Sequence, residues 1–141
     1  MRRSKARELA VKALYQLDMV GNSPDEAISS VLYACDTVKT DSSSLAFINS
    51  SVKETWLKLN SVDPVIQSHA RNWNPERFGR IERAILRLAA HEILFCEEVP
   101  VGVSVNEAVE LAKTYGGDDS GRFVNGVLAG LLQDRDGQNR E

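Results

Sequence analysis

The chain has 141 residues, of which 43% are hydrophobic and 26% charged, and its formal net charge is −3. Disordered chains contain fewer apolar residues, and no apolar run approaches the ~18 consecutive residues of a bilayer-spanning helix, so both classes are excluded. We expect one folded domain over residues 1–141. The apolar stretch behind the first arginines is interrupted by Glu8 and Lys12 and has no cleavage site, which favours a cytoplasmic protein over a secreted one.

Apolar residues recur with the helical period from the first residues onward. A first amphipathic helix is expected at about 4–20. Ser23, followed by a proline and two acids, predicts the start of a second helix, because these residue types all suit a first turn. A third helix is expected at about 45–59, and a proline after Asp63 predicts the start of a short fourth helix that ends near Trp73.

The longest predicted helix runs over about 74–96 and carries a cationic side formed by Arg77, Arg80, Arg83 and Arg87. Ser104 and Glu107 form an S-x-x-E capping box, which predicts the start of a sixth helix that ends at a Gly-Gly pair. The last predicted helix covers about 120–132, and the polar tail 133–141 is expected to be frayed. The fold class is therefore all-α, a single compact domain of about seven helices.

Candidate catalytic and metal-binding groups are few. His69 and His91 have no serine, cysteine or carboxylate at the spacing of a nucleophile and its base, so both are interpreted as surface or boundary residues. Cys35 and Cys96 lack a second cysteine or a histidine at ligand spacing, which predicts buried, inert thiols rather than a zinc site or a disulfide. We expect no enzymatic activity, no cofactor and no metal site.

The first twelve residues carry five basic side chains and one carboxylate, a charge of +4 in a chain whose total is −3. We interpret residues 1–7 as a basic arm, with Arg2, Arg3, Lys5 and Arg7 as candidate contacts to a phosphate backbone. Because salt limits the reach of each charge to about 10 Å, such a local concentration can bind RNA whatever the net charge. The alternative is a solvated helix start.

The last predicted helix begins with Arg122, Phe123 and Asn125, at a helix end whose free backbone N–H groups favour an anion. A cation, an aromatic ring and an amide can contact a phosphate, stack on a base and read a base edge in single-stranded RNA. Phe123 also shares a stripe with Val127, so a core position is the alternative. The glycine spacing of 116–121 matches a phosphate-binding loop, but arginine and phenylalanine replace its lysine and hydroxyl, which excludes that site.

Glu82 projects close to the apolar sector of the long helix. A carboxylate in that position must either meet a buried cation or lie at an exposed margin, and we expect the exposed margin. An acid bordered by apolar groups suits a basic protein partner, whose lysine or arginine would pair with it while its aliphatic carbons cover the apolar edge.

Four blocks of sequence go beyond generic helix patterns. They are 7–16 (RELAVKALYQ), 81–89 (IERAILRLA), 105–113 (VNEAVELAK) and 118–128 (DDSGRFVNGVL). Together, and in this order, they closely resemble the NusB transcription antitermination family. Residues 22–72 carry no family signature beyond their helical pattern.

The resemblance implies a small all-helical RNA-binding protein without enzymatic activity, which pairs with the ribosomal protein NusE and binds the boxA element of nascent rRNA leader transcripts. The pair is then expected to join other Nus factors on RNA polymerase. The resemblance places the RNA surface at the arginine-rich N-terminus and at the segment matched by 121–126, and the NusE surface at Tyr15, Glu76 and Glu82. A serine and an alanine interrupt the arm, which predicts weaker RNA affinity than in members with continuous arginines.

Two alternatives remain at this stage. The chain could be the NusB-like domain of an rRNA cytosine methyltransferase, although a catalytic domain of Rossmann type is not found in the sequence. It could also be a helical interaction module whose arginine side binds an acidic protein partner. Monomer and homodimer are both compatible with the sequence, as are RNA contact and neutralisation of nearby acids for Arg80, Arg83 and Arg87.

Overall fold

Six α-helices make up most of the computed structural model, which describes residues 1–35, 40–70 and 79–139. In chain order they are α1 (Arg3–Val20), α2 (Pro24–Ala34), α3 (Ser42–Leu57), α4 (Leu59–His69), α5 (Arg80–Phe95) and α6 (Val101–Asn139). No strand occurs within these three ranges, and the predicted all-α class is confirmed.

Helix α5 is the centre of the packing. It contacts α1, α3, α4 and α6, and every residue from Ala84 to Ile93 is buried. A helix that is covered on this many sides keeps no solvated face along its middle, so polar side chains become buried together with the apolar ones. The polar residues concerned are Arg87, His91 and Glu92. The largest fully buried apolar side chains on the helices around α5 are Leu9, Leu14 and Leu17 of α1, Ile48 of α3, and Leu128 and Leu131 of α6.

A pair of glycines divides α6 into two arms. Gly117 has a φ of 79°, a left-handed conformation that interrupts the helix. A Cβ on Gly116 would lie 2.6 Å from the Cβ of Ser120, so the preceding position has no room for a side chain. Only glycine meets both demands at low cost. The predicted sixth and seventh helices are the two arms of α6, which is why six helices stand where about seven were predicted.

Of the two helix starts predicted from a serine cap, one is confirmed. Ser23 Oγ accepts the Glu26 N–H at 3.2 Å, and Glu26 Oε1 accepts the Ser23 N–H at 3.2 Å, so α2 starts as predicted. The box predicted at Ser104 is wrong, because α6 begins three residues earlier. The Ser104 hydroxyl instead donates to Glu92 Oε1 of α5 at 2.7 Å.

Helix boundaries differ from the prediction in two further places. Helix α4 begins at Leu59 rather than at the predicted cap, so Pro64 lies inside the helix, where it withholds one backbone hydrogen bond. Helix α6 continues to Asn139, which corrects its predicted end near residue 132. That the tail 133–141 is frayed stays a prediction. The predicted start of the long helix at 74–78 lies outside the described residues.

The predicted burial of three residues is also corrected. His91 was placed at the surface or its boundary, but it is 1% exposed inside α5. Cys35 and Cys96 are free thiols that are half-buried rather than buried. Burial raises the pKa of the Cys96 thiol to about 11, which keeps it protonated and unreactive at neutral pH. Within the described ranges, no helix is long and apolar enough to cross a membrane.

Candidate RNA-binding and partner-binding surfaces

Three basic residues face the solvent at the start of α1. Arg2 and Arg3 are exposed, and the Lys5 side chain is 39% exposed although its Nζ lies 2.9 Å from Glu8 Oε1. The Arg3 guanidinium stacks 4.1 Å from the centroid of the Phe47 ring, a cation–π contact that orients it. These three cations therefore lie together at one end of the helix, in the region where the sequence predicts a phosphate-binding surface.

Arg7 does not belong to this exposed group, which corrects the predicted arm of residues 1–7. Its side chain is 6% exposed, and its Nε lies 3.2 Å from Glu92 Oε2 inside the protein. Glu92 also accepts the Ser104 hydroxyl, so three helices meet at this carboxylate. Arg7 lies one helical turn beyond Arg3 on the same side of α1, and both guanidinium groups lie over the Phe47 ring, but that of Arg7 is buried and paired with Glu92.

Arg122 and Phe123 line one surface cavity of about 640 Å³. Arg122 is exposed and forms an ion pair with Asp119, one turn earlier. Phe123 is half-buried: its ring packs against the core and also lines the cavity, so both interpretations of this residue from the sequence hold in part. Asn125 is exposed on the same helix but does not line the cavity.

The other wall of this cavity comes from the end of α4, a segment to which no role was assigned from the sequence. Ser68 and His69 line it, and His69 Nε2 lies 2.8 Å from Asp134 Oδ2. The two helices approach closely because Gly130 has no side chain; a Cβ there would lie 2.5 Å from His69 Nδ1. Gly126 also lines the cavity, but a Cβ there would meet nothing within 4 Å beyond its own neighbours and the backbone of its own helix.

A second surface is an open, mainly apolar groove of about 610 Å³ between α1, the start of α5 and the first arm of α6. Tyr15 and Glu82 both line it, so the structure brings together two of the three residues predicted to bind NusE. Met19 and Tyr115 are 50% and 40% exposed in the same groove. The third predicted residue, Glu76, lies outside the described residues.

Glu82 is 4% exposed, so the expected position at an exposed margin is wrong. Its Oε2 accepts the Gly79 N–H at 2.7 Å, and its Oε1 accepts the Ser120 hydroxyl at 3.2 Å. Among the described residues, the buried carboxylate is thus stabilised by hydrogen bonds from a helix N-terminus and a hydroxyl, and no cation pairs with it. It forms the floor of the groove instead of its rim.

Tyr115 links the groove to the basic end of α1. Its hydroxyl donates to Glu8 Oε2 at 2.7 Å, and Glu8 Oε1 accepts from Lys5. Burial, together with Glu8 as acceptor, raises the pKa of Tyr115 to about 12. Burial alone would raise the pKa of Glu8, but the hydrogen bonds from Lys5 and Tyr115 outweigh it and lower that pKa. Neither Tyr115 nor Glu8 was singled out from the sequence, because their partners come from different helices.

The arginine side of α5 is largely engaged by acids. Arg87 donates to both oxygens of Asp63, at 2.9 and 2.8 Å, and Arg83 Nη1 lies 3.7 Å from Asp18 Oδ2. Neutralisation of nearby carboxylates therefore accounts for Arg83 and Arg87, while Arg80 is exposed beside the groove. In the described part of the chain, histidines, cysteines and acids form no group able to hold a metal ion.

Comparison with known proteins identifies the family to which this fold belongs. The sequence model of the NusB family matches residues 4–133. The chain belongs to the NusB family. It is 42% identical to the transcription antitermination protein NusB of Symbiobacterium thermophilum over 140 residues, covering 94% of this chain and 90% of the relative. It is also 42% identical to the NusB protein of Bacillus subtilis over 134 residues, covering 95% and 97% of the two chains.

Solved structures of NusB proteins have the same fold. A chain in the crystal structure of antitermination factors NusB and NusE in complex with double-stranded RNA superposes with a TM-score of 0.81 at 28% identity, covering 95% of this chain and 99% of that one. NusB of Aquifex aeolicus, solved in solution, gives a TM-score of 0.81 at 29% identity and covers 100% and 95%. The all-helical NusB fold predicted from the sequence is thereby confirmed.

Proposed function

We propose that this chain is a transcription antitermination protein that binds RNA at the cavity of Arg122 and Phe123 and binds NusE in the groove of Tyr15 and Glu82. The observation that carries the proposal is the pairing of an exposed guanidinium and an aromatic ring on one open cavity. The residues lining the cavity and those lining the groove are different, so one molecule can hold both partners at once.

The RNA surface would combine two clusters of exposed polar residues. Arg2, Arg3 and Lys5 supply three cations at the start of α1, and Arg122 supplies a fourth at the cavity. Phe123 offers a ring on which a base can stack, and Asn125 offers an amide for a base edge. Cations hold the phosphates and the ring and amide hold the bases, which is the division of labour found in single-strand recognition.

We favour a single-stranded boxA-like RNA over a duplex. Bases in a duplex are stacked on each other and cannot lie on a protein side chain without being extruded, whereas an unpaired base can. Phe123 is half-buried and lines the cavity, which supports its ring as the place where such an unpaired base would stack. Because the related crystal structure contains double-stranded RNA, the test of this choice includes a duplex.

The groove fits a protein segment with apolar side chains. Tyr15, Met19, Ile81 and Tyr115 give it a mostly apolar lining, while Lys12 and Arg80 lie at its polar edge. Aromatic and methionine side chains are enriched where proteins bind one another. We propose NusE as the occupant, with Glu76 as a further contact, and the ternary complex of RNA, NusE and this chain as the unit that joins other Nus factors on RNA polymerase. In this role the chain binds and positions its partners and catalyses no reaction.

RNA binding is tested by filter binding with three RNAs of equal length: a boxA-like single strand, the same sequence annealed to its complement, and a scrambled single strand. We expect the first to bind at least tenfold more tightly than either of the others. Equal affinity for all three would contradict sequence-specific recognition, and a preference for the duplex would overturn the assignment of Phe123 as a stacking residue.

NusE binding is tested by calorimetric titration of two tyrosine variants. Tyr15→Ala removes a ring from the groove, and we expect it to weaken NusE binding by about 2 kcal/mol, as for other aromatic contacts at interface centres. Tyr33→Ala is the matched control, because Tyr33 is 91% exposed on α2 and lies outside the groove. Equal losses in the two variants, or none in Tyr15→Ala, would place the NusE surface elsewhere.

A further inference from the structure

We propose that Ser120 is a positioning residue for RNA, whose hydroxyl, bound to the buried Glu82 carboxylate, fixes the turn of α6 that presents Arg122 and Phe123. The inference rests on the proposed RNA binding and assigns a role to a residue that does not itself contact RNA. Ser120 is 2% exposed, so any effect on RNA must act through the position of its neighbours.

The contact joins two segments that are distant in sequence. The Ser120 hydroxyl donates to Glu82 Oε1 at 3.2 Å across 38 residues, and Glu82 Oε2 accepts the Gly79 N–H at 2.7 Å. Glu82 is in turn held at the N-terminus of the central helix α5. The hydroxyl therefore ties the start of the second arm of α6 to the most deeply packed element of the fold.

The second arm needs this hydrogen bond to fix its direction, because Gly117 interrupts the helix just before it. The left-handed φ of 79° interrupts the first arm, so the direction of the second arm is set by side-chain contacts as well as by the backbone. A Cβ on Gly116 would lie 3.0 Å from Glu82 Oε1, so the glycine leaves the space in which carboxylate and hydroxyl meet. The kink and the hydrogen bond form one local arrangement.

The position of Ser120 in α6 also determines which RNA-binding residues its hydrogen bond affects. Ser120 and Phe123 are three residues apart, on the same side of the helix, and Arg122 lies between them in sequence. A small rotation of this turn moves the guanidinium and the ring together relative to the α4 wall at His69. Losing the hydrogen bond should therefore weaken contacts to both phosphate and base, while the groove residue Tyr15 keeps its place on α1.

The experiment compares two buried serines that each donate to a buried glutamate. Ser120→Ala removes the bond to Glu82, and Ser104→Ala removes the 2.7 Å bond to Glu92 from a residue that is also 2% exposed. Both variants lose a hydrogen bond of the same kind, but only Ser120 adjoins the RNA cavity. Affinity for a boxA-like single strand is measured by filter binding across a salt series, per folded molecule, and folding is followed by circular dichroism.

We expect Ser120→Ala to bind RNA about tenfold more weakly and Ser104→Ala to bind within about twofold of wild type. In Ser120→Ala the slope of log K against log salt should also become shallower by about 0.7, because Arg122 no longer reaches its phosphate. A purely structural role of Ser120 would lower stability without changing that slope. NusE affinity, measured without RNA, should stay at the wild-type value in Ser104→Ala, because its partner Glu92 does not line the groove.

Three results would overturn the inference: wild-type RNA affinity in folded Ser120→Ala, equal losses in the two serine variants, or an unchanged salt slope. A double variant with Glu82→Ala adds a second check, since a hydroxyl that acts through this carboxylate should cost no further affinity per folded molecule once the carboxylate is removed. Failure of wild-type protein to prefer the boxA-like strand over the scrambled one would instead refute the proposed function, so the two failures are distinguishable.

Discussion

Arg7 of α1 and Glu92 of α5, 85 residues apart in sequence, form an ion pair in the interior, with 3.2 Å between Arg7 Nε and Glu92 Oε2. The pair joins the first helix to the central one, and the Ser104 hydroxyl adds a contact from α6 to the same carboxylate. One arginine of the basic N-terminus therefore holds three helices together, while Arg2 and Arg3 remain in solvent. Basic residues close in sequence thus have different roles.

Breaking this pair should destabilise the protein strongly. Glu92→Gln leaves the Arg7 guanidinium buried without a counter-charge, and we expect the free energy of unfolding to fall by about 3–5 kcal/mol in denaturant titrations. The control is Asp25→Asn, which breaks the solvent-exposed pair with Lys53 and should cost less than about 1 kcal/mol. RNA affinity per folded molecule should not change in Glu92→Gln. A loss of stability no larger than that of Asp25→Asn would contradict the structural role.

The salt dependence of RNA binding should count the exposed cations. If Arg2, Arg3, Lys5 and Arg122 each neutralise one phosphate of a single strand, log K falls with log salt at a slope of about −3. Arg2→Gln should make the slope shallower by about 0.7. Arg83→Gln is the control, because this 44% exposed arginine lies near Asp18 and away from both clusters. Equal slopes in wild type and Arg2→Gln would mean that the N-terminal cations do not contact the phosphates.

Stacking on Phe123 can be separated from its packing in the core. Phe123→Leu keeps much of the apolar volume but removes the aromatic face, so we expect RNA affinity to fall by about 1 kcal/mol or more, with a smaller loss of stability. Phe95→Leu is the matched control, a 42% exposed ring whose face is covered by Lys58 Nζ at 4.2 Å. Filter binding decides the matter: unchanged affinity in folded Phe123→Leu would make this ring a core residue only.

Acid should destabilise the protein through His91. Burial lowers the pKa of this histidine, and the nearby Lys58 adds to that effect against three glutamates. Because the unfolded chain binds the proton more readily, stability is fully present above pH about 6.5 and is lost as the pH falls from there toward the folded-state pKa, by at most about 1.4 kcal/mol per pH unit. Denaturant unfolding at pH 7.5 and 5.5 should show the loss in wild type and in His69→Gln. A loss of equal size in His91→Gln would contradict the assignment.

Much of the fold follows from the sequence, because periodic apolar residues, proline and glycine act locally. The apolar spacing predicts a helix at about 4–20, and in the structure α1 occupies Arg3–Val20. The burial of Arg7 and Glu82 could not be predicted in this way, since periodicity identifies a face but not the element that covers it. Their contacts come from residues 85 and 38 positions away. The partner of Ser104 is also on another helix: the serine lies within α6, and its hydroxyl donates to Glu92 of α5 instead of capping a helix start.

The residues that line the cavity show what could be predicted from the sequence and what could not. Arg122 and Phe123 were found because a cation and a ring at a helix start have a recognisable chemistry, and the structure places both at one opening. His69 was interpreted as a surface or boundary residue, and its position on the opposite wall depends on how closely α4 approaches Gly130. Side-chain chemistry is local, whereas the meeting of two helices is not.

At Gly126, a substitution that stabilises the fold is also expected to weaken RNA binding. It is an exposed glycine within a helix, and open space surrounds the position of its missing side chain, so Gly126→Ala should raise the free energy of unfolding by about 0.5–1 kcal/mol. A library screened only for heat resistance should therefore collect substitutions at this position early. The same library screened for RNA capture should discard them, because the bare backbone lies on the cavity wall where a nucleotide would pass. Sequencing both pools should show that glycine is retained at this position under selection for RNA capture and replaced under selection for heat resistance.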